Sequence, residues 1–315
     1  MPVPQPIFIL ASPRSFTSLI CAMLGQHPEA YGVPELNLFI YDTLEQAADQ
    51  LKTRRTHGLL RTVAQLYAGE QTILSIDLAQ RWILKRIKHS TGEVYQELCR
   101  KVQPLRIIDK SPSYAVESKT LNRIQKAFPN AYYIHLVRHP RAMGESCMKL
   151  VAQKRYEKQQ KPSLVGNNKF VSPGIPDLID RSTNPPTFDF QYLWYKMQWR
   201  ILDFLSTVPS EQQMLIRGED LLNDPPLYFK KICEGLGLSW NESAFEAMLH
   251  PEESPYACFG PYTAQFGNDP NFLNSPAFRQ RAIASSKLEG PLPWRRDGGE
   301  FHPLVKKLAQ ELGYE

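Results

Sequence analysis

Long apolar runs are missing from this chain of 315 residues: the strongest one near the start, Ile7 to Ala11, is far short of the roughly 20 residues a membrane helix needs. No basic segment with a cleavage site precedes it, so the sequence shows neither anchor nor secretion signal, and a cytoplasmic location is expected. Paired cysteines are missing too. The five present, Cys21, Cys99, Cys147, Cys233 and Cys258, are widely spaced and form no CxxC, which reads as reduced, mostly buried thiols and argues against a zinc site. Glycine is scarce at 17 and proline abundant at 26, so turns are made more by rigid than by permissive residues. No GxxxxGK[ST] occurs, which removes the main support for phosphoryl transfer from ATP, and no repeat of 20 to 50 residues occurs, which removes solenoids and propellers. The balance of 37 basic against 32 acidic residues, +5 in all, is too mild to indicate nucleic acid but suits a small, highly anionic ligand.

What is present is a rhythm of short apolar strand followed by helical pattern. Strands are predicted at Pro6–Ala11, Arg106–Asp109, Ala131–Arg138 and Met214–Arg217, and helices at Thr17–His27, Ser118–Phe128, Arg141–Gln153 and Pro225–Gly235, the last closed by Gly235 or Gly237. Repetition of that unit predicts a three-layer α/β architecture with a central parallel sheet. The dense apolar and aromatic set from Phe188 to Leu205, including Trp194 and Trp199, reads as a buried helix rather than a cofactor box. Two stretches, 159–186 and 251–293, rich in Pro and Asn, break the rhythm and are expected to act as lid or flap.

The first strand runs through Ser12-Pro13-Arg14-Ser15-Phe16-Thr17-Ser18 directly into a helix. Amides at a helix N-terminus, the hydroxyls of Ser15, Thr17 and Ser18, and the cation of Arg14 together form a P-loop-like cradle for phosphate; an ordinary cap with a surface arginine is the alternative reading. The third strand ends at Arg138, and Ser146 follows eight residues later, two helical turns on, where both can converge on one anion. Glu35, in the Pro-bounded segment Gly32-Val33-Pro34-Glu35-Leu36-Asn37, offers a carboxylate for proton transfer, and Lys110 a cation; solvated surface charges are the alternative for both. Among the histidines, His135 lies inside a strand and reads as core, His139 follows Arg138 and is a second choice of base, and His27, His57, His89, His250 and His302 fall in helix-end or surface contexts.

Taken together, the two phosphate-type segments resemble the 5′-phosphosulfate and 3′-phosphate loops of sulfotransferases that use 3′-phosphoadenosine 5′-phosphosulfate (PAPS). Asp109-Lys110-Ser111-Pro112-Ser113-Tyr114, Arg217-Gly218-Glu219-Asp220 and Trp294-Arg295-Arg296-Asp297-Gly298 follow in the family's order over most of the chain. Phe16 departs from the pattern, since many relatives place Gly there. The resemblance implies a sulfotransferase fold akin to nucleotide kinases, with the nucleotide across the carboxyl ends of the first and third strands. It also implies PAPS as donor, adenosine 3′,5′-bisphosphate as product, and no metal. Glu35 is implied as base, Lys110 and Arg14 as charge stabilisers, and Arg14, Ser15, Phe16, Thr17, Ser18, Arg138 and Ser146 as nucleotide-binding, with Arg295, Arg296 and Gly298 closing over the 3′-phosphate. The combination PELNLF, DKSPSYA, YIHLVRHP and GNDPNFL is most similar to sulfotransferase domains of cyanobacterial-type polyketide synthases, including the curacin and olefin synthases, although Ser275 stands where some relatives carry a His. That likeness implies an acyl carrier protein presenting a β-hydroxyacyl chain, whose sulfonated hydroxyl then leaves during decarboxylative formation of a terminal alkene. It also implies one catalytic domain over 1–315, with natural boundaries at Pro6 and Glu315 if it is excised from a larger synthase. Neither nucleic acid nor membrane is expected as partner. A stand-alone sulfotransferase for carbohydrate or another small hydroxyl compound is the second reading, and Lys149, Lys154, Arg155, Lys158 and Lys161 fit either its cleft or a docking face for an acidic carrier. A nucleotide-binding module without catalysis is the third.

Overall fold

The computed structural model describes residues 3–47, 53–158, 179–180, 187–280 and 282–315. Its centre is a sheet of five parallel strands, β1 (Ile7–Leu10), β2 (Ala30–Gly32), β3 (Arg106–Asp109), β4 (Tyr132–Val137) and, after a two-stranded antiparallel pair β5 (Ile179–Asp180) and β6 (Thr187–Phe188), β7 (Gln213–Arg217). The order is β2-β3-β1-β4-β7, so β1 sits in the middle with β3 on one side and β4 on the other. The helices are α1 (Thr17–Leu24), α2 (Leu44–Ala47), α3 (His57–Ala68), α4 (Ile73–Leu84), α5 (Thr91–Val102), α6 (Ser118–Ala127), α7 (Pro140–Lys158), α8 (Phe190–Leu205), α9 (Gly218–Asn223), α10 (Pro225–Leu236), α11 (Glu242–Met248), α12 (Pro270–Asn274) and α13 (Pro303–Glu311).

The four strands expected from sequence all form, each within two residues of the predicted ends, and a helix follows each of them, though α1 ends three residues earlier and α7 five residues later than expected. Gly237, at φ +66°, closes α10, while Gly235 lies inside the helix. Every residue of β1 is buried because successive side chains leave on opposite faces into different cores. Phe8 and Leu10 join the layer of α3, α5, α6 and α8, whereas Ile7, Ile9 and Ala11 join that of α1, α10 and α11. Phe8 is the hub of the first core, with Phe39, Tyr95, Tyr114, Phe128 and Tyr133 all within 6.4 Å between ring centroids.

The helices α3, α4 and α5, 12 residues each, have no counterpart in the sequence reading. Two of them carry a signal that identifies them: Thr72 with Ser75, and Ser90 with Glu93, form reciprocal capping boxes. The aromatic set at 190–205 is indeed a helix, α8, with Trp194 0% exposed and Trp199 on its outer side. No helix of the described residues is long and apolar enough to cross a membrane.

Candidate functional site

Parallel strands all point their carboxyl ends one way, and the loops leaving β1, β3 and β4 therefore meet at one edge, on either side of the switch between β3-β1 and β1-β4. The loop after β1 makes the sharpest turn. Arg14 and Phe16 have φ of 65° and 60°, and with Asn37 at 53° they are the non-glycine residues with positive φ among those described; all three lie at this edge. The left-handed backbone at Phe16 is one that glycine adopts without strain. Phe16 gives α1 no side-chain cap, so the first amides of α1, which have no intrahelical acceptor, face outward.

Phe16 is accommodated by a neighbour. Its ring lies against Gly218, where an added Cβ would sit 2.7 Å from Phe16 Cδ2, and the Arg138 guanidinium stacks on the ring at 4.1 Å from its centroid. Arg138 also donates from Nη1 to Arg14 O at 2.6 Å, while its Nε is enclosed without any partner. Arg14 donates from Nε to Ser146 Oγ at 3.0 Å. Arg14, Phe16, Thr17, Ser18, Arg138 and Ser146 thus line one cavity of about 470 Å³, and Ser15 is buried beneath, bonded to Ser12 Oγ at 3.0 Å. A buried relay extends from there: Gln198 donates to Ser12 at 3.4 Å and pairs with His135 at 2.6 Å. Burial pushes His135 down to about 4, so it stays neutral, the core role expected of it.

The far wall of the cavity comes from the 251–293 segment: Asp269, Asn271, Phe272, Ser275, Phe278 and Arg279. Sequence reasoning did not single out Asp269 or Arg279. Asp269 caps α12 through Asn271 N–H at 3.0 Å, and its carboxylate forms an ion pair with Arg14. An Asp directly before a Pro that opens a helix is a readable cap signal, although the partner 255 residues away is not. The segment is clamped by Arg61, which is fully buried on α3 and donates to Cys258 O at 2.8 Å and Phe266 O at 3.1 Å.

Behind Ser18 lies the second half of the site. Lys110, 0% exposed, donates from Nζ to Ser18 Oγ at 2.9 Å and to Glu35 Oε1 at 2.9 Å. Ser18 Oγ also accepts from Asp269 N–H at 3.2 Å. With both acceptor positions used by protein donors, the Ser18 proton is left to point at a ligand oxygen. Glu35 is 33% exposed, and its backbone is pinned by its own N–H donating to Gly267 O at 2.7 Å and by contact with Gly58 of α3. No side chain fits at Gly58, since its Cβ would stand 2.0 Å from Glu35 O.

Several residues singled out in the sequence lie away from this cavity. Arg295, Arg296 and Gly298 do not line the cavity: Asp189, at the head of α8, accepts from Trp294 Nε1 at 2.8 Å and from Arg295 Nη1 at 3.1 Å, and Arg295 Nε bonds Asp297 at 3.0 Å. The Trp294 ring fills the space that a side chain at Gly144 would take, which draws the segment onto α7 and α8. His139 is 3% exposed, packs edge-on to Tyr314 at 5.1 Å and is not among the residues that line the cavity; burial, and then Arg141, push it down to about 4. His27, just past the end of α1, and His57, the first residue of α3, sit at helix ends as expected and are buried there, His27 bonding Ser239 O at 2.8 Å and His57 stacking on Phe266. Of the five basic residues from Lys149 to Lys161, Lys149 is exposed on α7; the side chains of Lys154, Arg155 and Lys158, and all of 159–178 and 181–186, lie outside the described residues.

A family model described as the sulfotransferase family matches residues 6–242. Among solved structures, the chain is similar to a sulfotransferase domain from the curacin biosynthetic pathway, at 27% identity over 100% of this chain and 99% of that one, with a TM-score of 0.73. It is likewise similar to a sulfotransferase domain from the olefin synthase of Synechococcus PCC 7002, at 26% identity over 99% and 96% of the two chains, TM-score 0.71. A sulfotransferase from Mycobacterium avium, 15% identical over 100% of this chain and 78% of that one, TM-score 0.51, shares the fold. No curated protein sequence matches significantly. With a match that runs from β1 through α10 and a basic, hydroxyl-lined cavity at the carboxyl edge of the sheet, the chain belongs to the sulfotransferase family.

Proposed function

We propose that the protein transfers the sulfuryl group of PAPS to the β-hydroxyl of an acyl chain carried by an acyl carrier protein. The observation that carries this reading is the division of one site into two halves by Ser18: an anion cavity with Arg14, Arg138 and Ser146 on one side, and the Lys110–Glu35 pair on the other. The residues fit a bisphosphorylated nucleotide. Arg138 carries an enclosed Nε with no partner, a donor that wants an anion, and the amides at the start of α1 supply more. Leu19, Leu222, Phe278 and Ile283 line the same cavity and offer an apolar surface for a base. The nature of the acceptor follows the likeness to the curacin and olefin synthase domains.

In the reaction, Glu35 accepts the proton of the acceptor hydroxyl while the hydroxyl oxygen bonds to sulfur and the bond from sulfur to the phosphate oxygen breaks, leaving adenosine 3′,5′-bisphosphate. Lys110, held between Glu35 and Ser18, neutralises charge on the sulfuryl oxygens. The Ser18 hydroxyl, the α1 amides and Arg14 receive the charge that develops on the leaving phosphate. Asp269 holds Arg14 through Nη1, so its carboxylate competes with the donor's phosphate for that guanidinium. Intact-mass analysis of a β-hydroxyacyl carrier protein incubated with enzyme and PAPS tests the reading: a gain of one sulfuryl group is expected, and an unchanged mass with nucleotide bound to the enzyme would refute the acceptor.

A further inference from the structure

The segment that delivers Lys110 also grips the chain next to Glu35. Asp109, the last residue of β3, is 0% exposed, and its carboxylate accepts from Ser111 Oγ at 2.8 Å and from Tyr114 OH at 2.9 Å. Each hydroxyl, having given its one proton to Asp109, keeps lone pairs alone for other partners. Each then accepts an amide from the turn that follows Glu35: Asn37 N–H meets Ser111 Oγ at 3.1 Å and Leu38 N–H meets Tyr114 OH at 3.2 Å. A third hydroxyl, Ser113, donates to Asn37 Oδ1 at 2.5 Å. The turn so held contains Asn37 in the left-handed region, a conformation that persists where its surroundings enforce it. Residues 109–114 therefore hold Glu35 directly, through its carboxylate by Lys110, and hold the turn that follows it, through the Asn37 and Leu38 amides by the two hydroxyls.

The direction of these bonds depends on the carboxylate. Ionised Asp109 offers acceptors alone, so both hydroxyls donate inward and accept outward. An amide in its place has one acceptor and one donor group, so one hydroxyl must accept from it and send its own proton elsewhere in a buried site, which disturbs its bond to the turn amide.

We propose that Asp109 is a positioning residue for Glu35, orienting the Ser111 and Tyr114 hydroxyls so that the 35–38 turn presents the carboxylate to the acceptor and to Lys110. This rests on the reading of Glu35 as the base, and the test separates the two. Turnover with a β-hydroxyacyl carrier protein and calorimetric binding of adenosine 3′,5′-bisphosphate are measured for Asp109→Asn, Glu35→Gln and the double variant. Asp109→Asn is expected to lower kcat about 10- to 100-fold and leave nucleotide affinity within about twofold. In the Glu35→Gln background it is expected to change kcat by less than about twofold, because a misplaced base that is already gone costs nothing more. Losses that multiply in the double variant, or wild-type turnover in Asp109→Asn while Glu35→Gln is impaired, would overturn the proposal alone; wild-type turnover in Glu35→Gln would overturn the base and the proposal together. Tyr114→Phe removes one arm only and keeps the question open to measurement if Asp109→Asn does not fold. It is expected to cost about 3- to 10-fold in kcat, again with no further effect once Glu35 is Gln.

Discussion

Arg138 is the residue whose surroundings most demand a ligand: stacked on Phe16, bonded to a single carbonyl and left with an enclosed Nε. Arg138→Ala is expected to weaken binding of adenosine 3′,5′-bisphosphate by about 2 to 3 kcal/mol, the range for a charge-assisted hydrogen bond lost from a part-buried site. Calorimetry checks this, and unchanged affinity in a folded variant would remove the phosphate assignment. Glu35→Gln preserves shape but not basicity, so turnover should fall about 10²- to 10⁴-fold while nucleotide binding holds. Asp269 carries the opposite sign. Its carboxylate occupies Arg14 in competition with any anion, and Asn can still cap α12, so Asp269→Asn should tighten nucleotide binding about 3- to 10-fold. A loss of affinity would mean that Asp269 supports the bound state instead.

Between residues and fold lie the contacts of one element with the next, and here the loop after β1 is matched to the head of α9. Phe16 fills the space that Gly218 leaves empty. Gly218→Ala should therefore push the ring off, weaken nucleotide binding and lower the unfolding temperature, and Phe16→Gly introduced in the same chain should restore much of both. A double-mutant cycle on unfolding temperature measures the coupling, and simple additivity would mean that the two elements are not matched through this pair. The late basic segment belongs to another partnership. Because Arg295 is taken up by Asp189 and Asp297, Arg295→Ala is expected to lower the unfolding temperature by a few degrees with nucleotide affinity unchanged.

Acid stability is a property of the whole molecule, and four buried groups among the described residues bear on it near neutrality. Burial holds His135 and His139 down at about 4 and lowers His57 as well, so below pH 6.5 the unfolded chain takes up protons on these three rings that the folded chain resists. Burial raises Asp109 to about 7, against the pull of Ser111, Tyr114 and Lys110, and this group runs the other way: its folded form gains a proton on acidification through 7 that the unfolded form gains only near 3.8. Three sites oppose one, so stability should fall as pH drops from 6.5 toward 5. Thermal unfolding across that range measures it, and a His139→Gln variant should show a shallower slope.

The strand-and-helix rhythm, the parallel sheet and the cluster at its carboxyl edge were legible in the sequence because each rests on short-range order. Arg14 to Ser18 follow the end of one strand, Arg138 and Ser146 the end of another, and the 3.6-residue helical period carries Ser146 back toward Arg138; parallel pairing of β1 with β4 then brings the two groups to one edge. Family likeness added Glu35 and Lys110. What the chain order could not reveal came from distant segments without periodicity. Asp269 reaches Arg14 only because Arg61 clamps 258–266 and because Gly58 and Gly267 allow that segment to approach Glu35. Arg295 was drawn away from the cavity by the pull of Asp189 on it and on Trp294, a contest between partners that no spacing records. Nor does Asp109 read as more than a strand end until the fold lays the 35–38 turn across it. Local periodicity determined which residues could share an edge; tertiary packing, which sets the partners of each buried charge, decided what they do there.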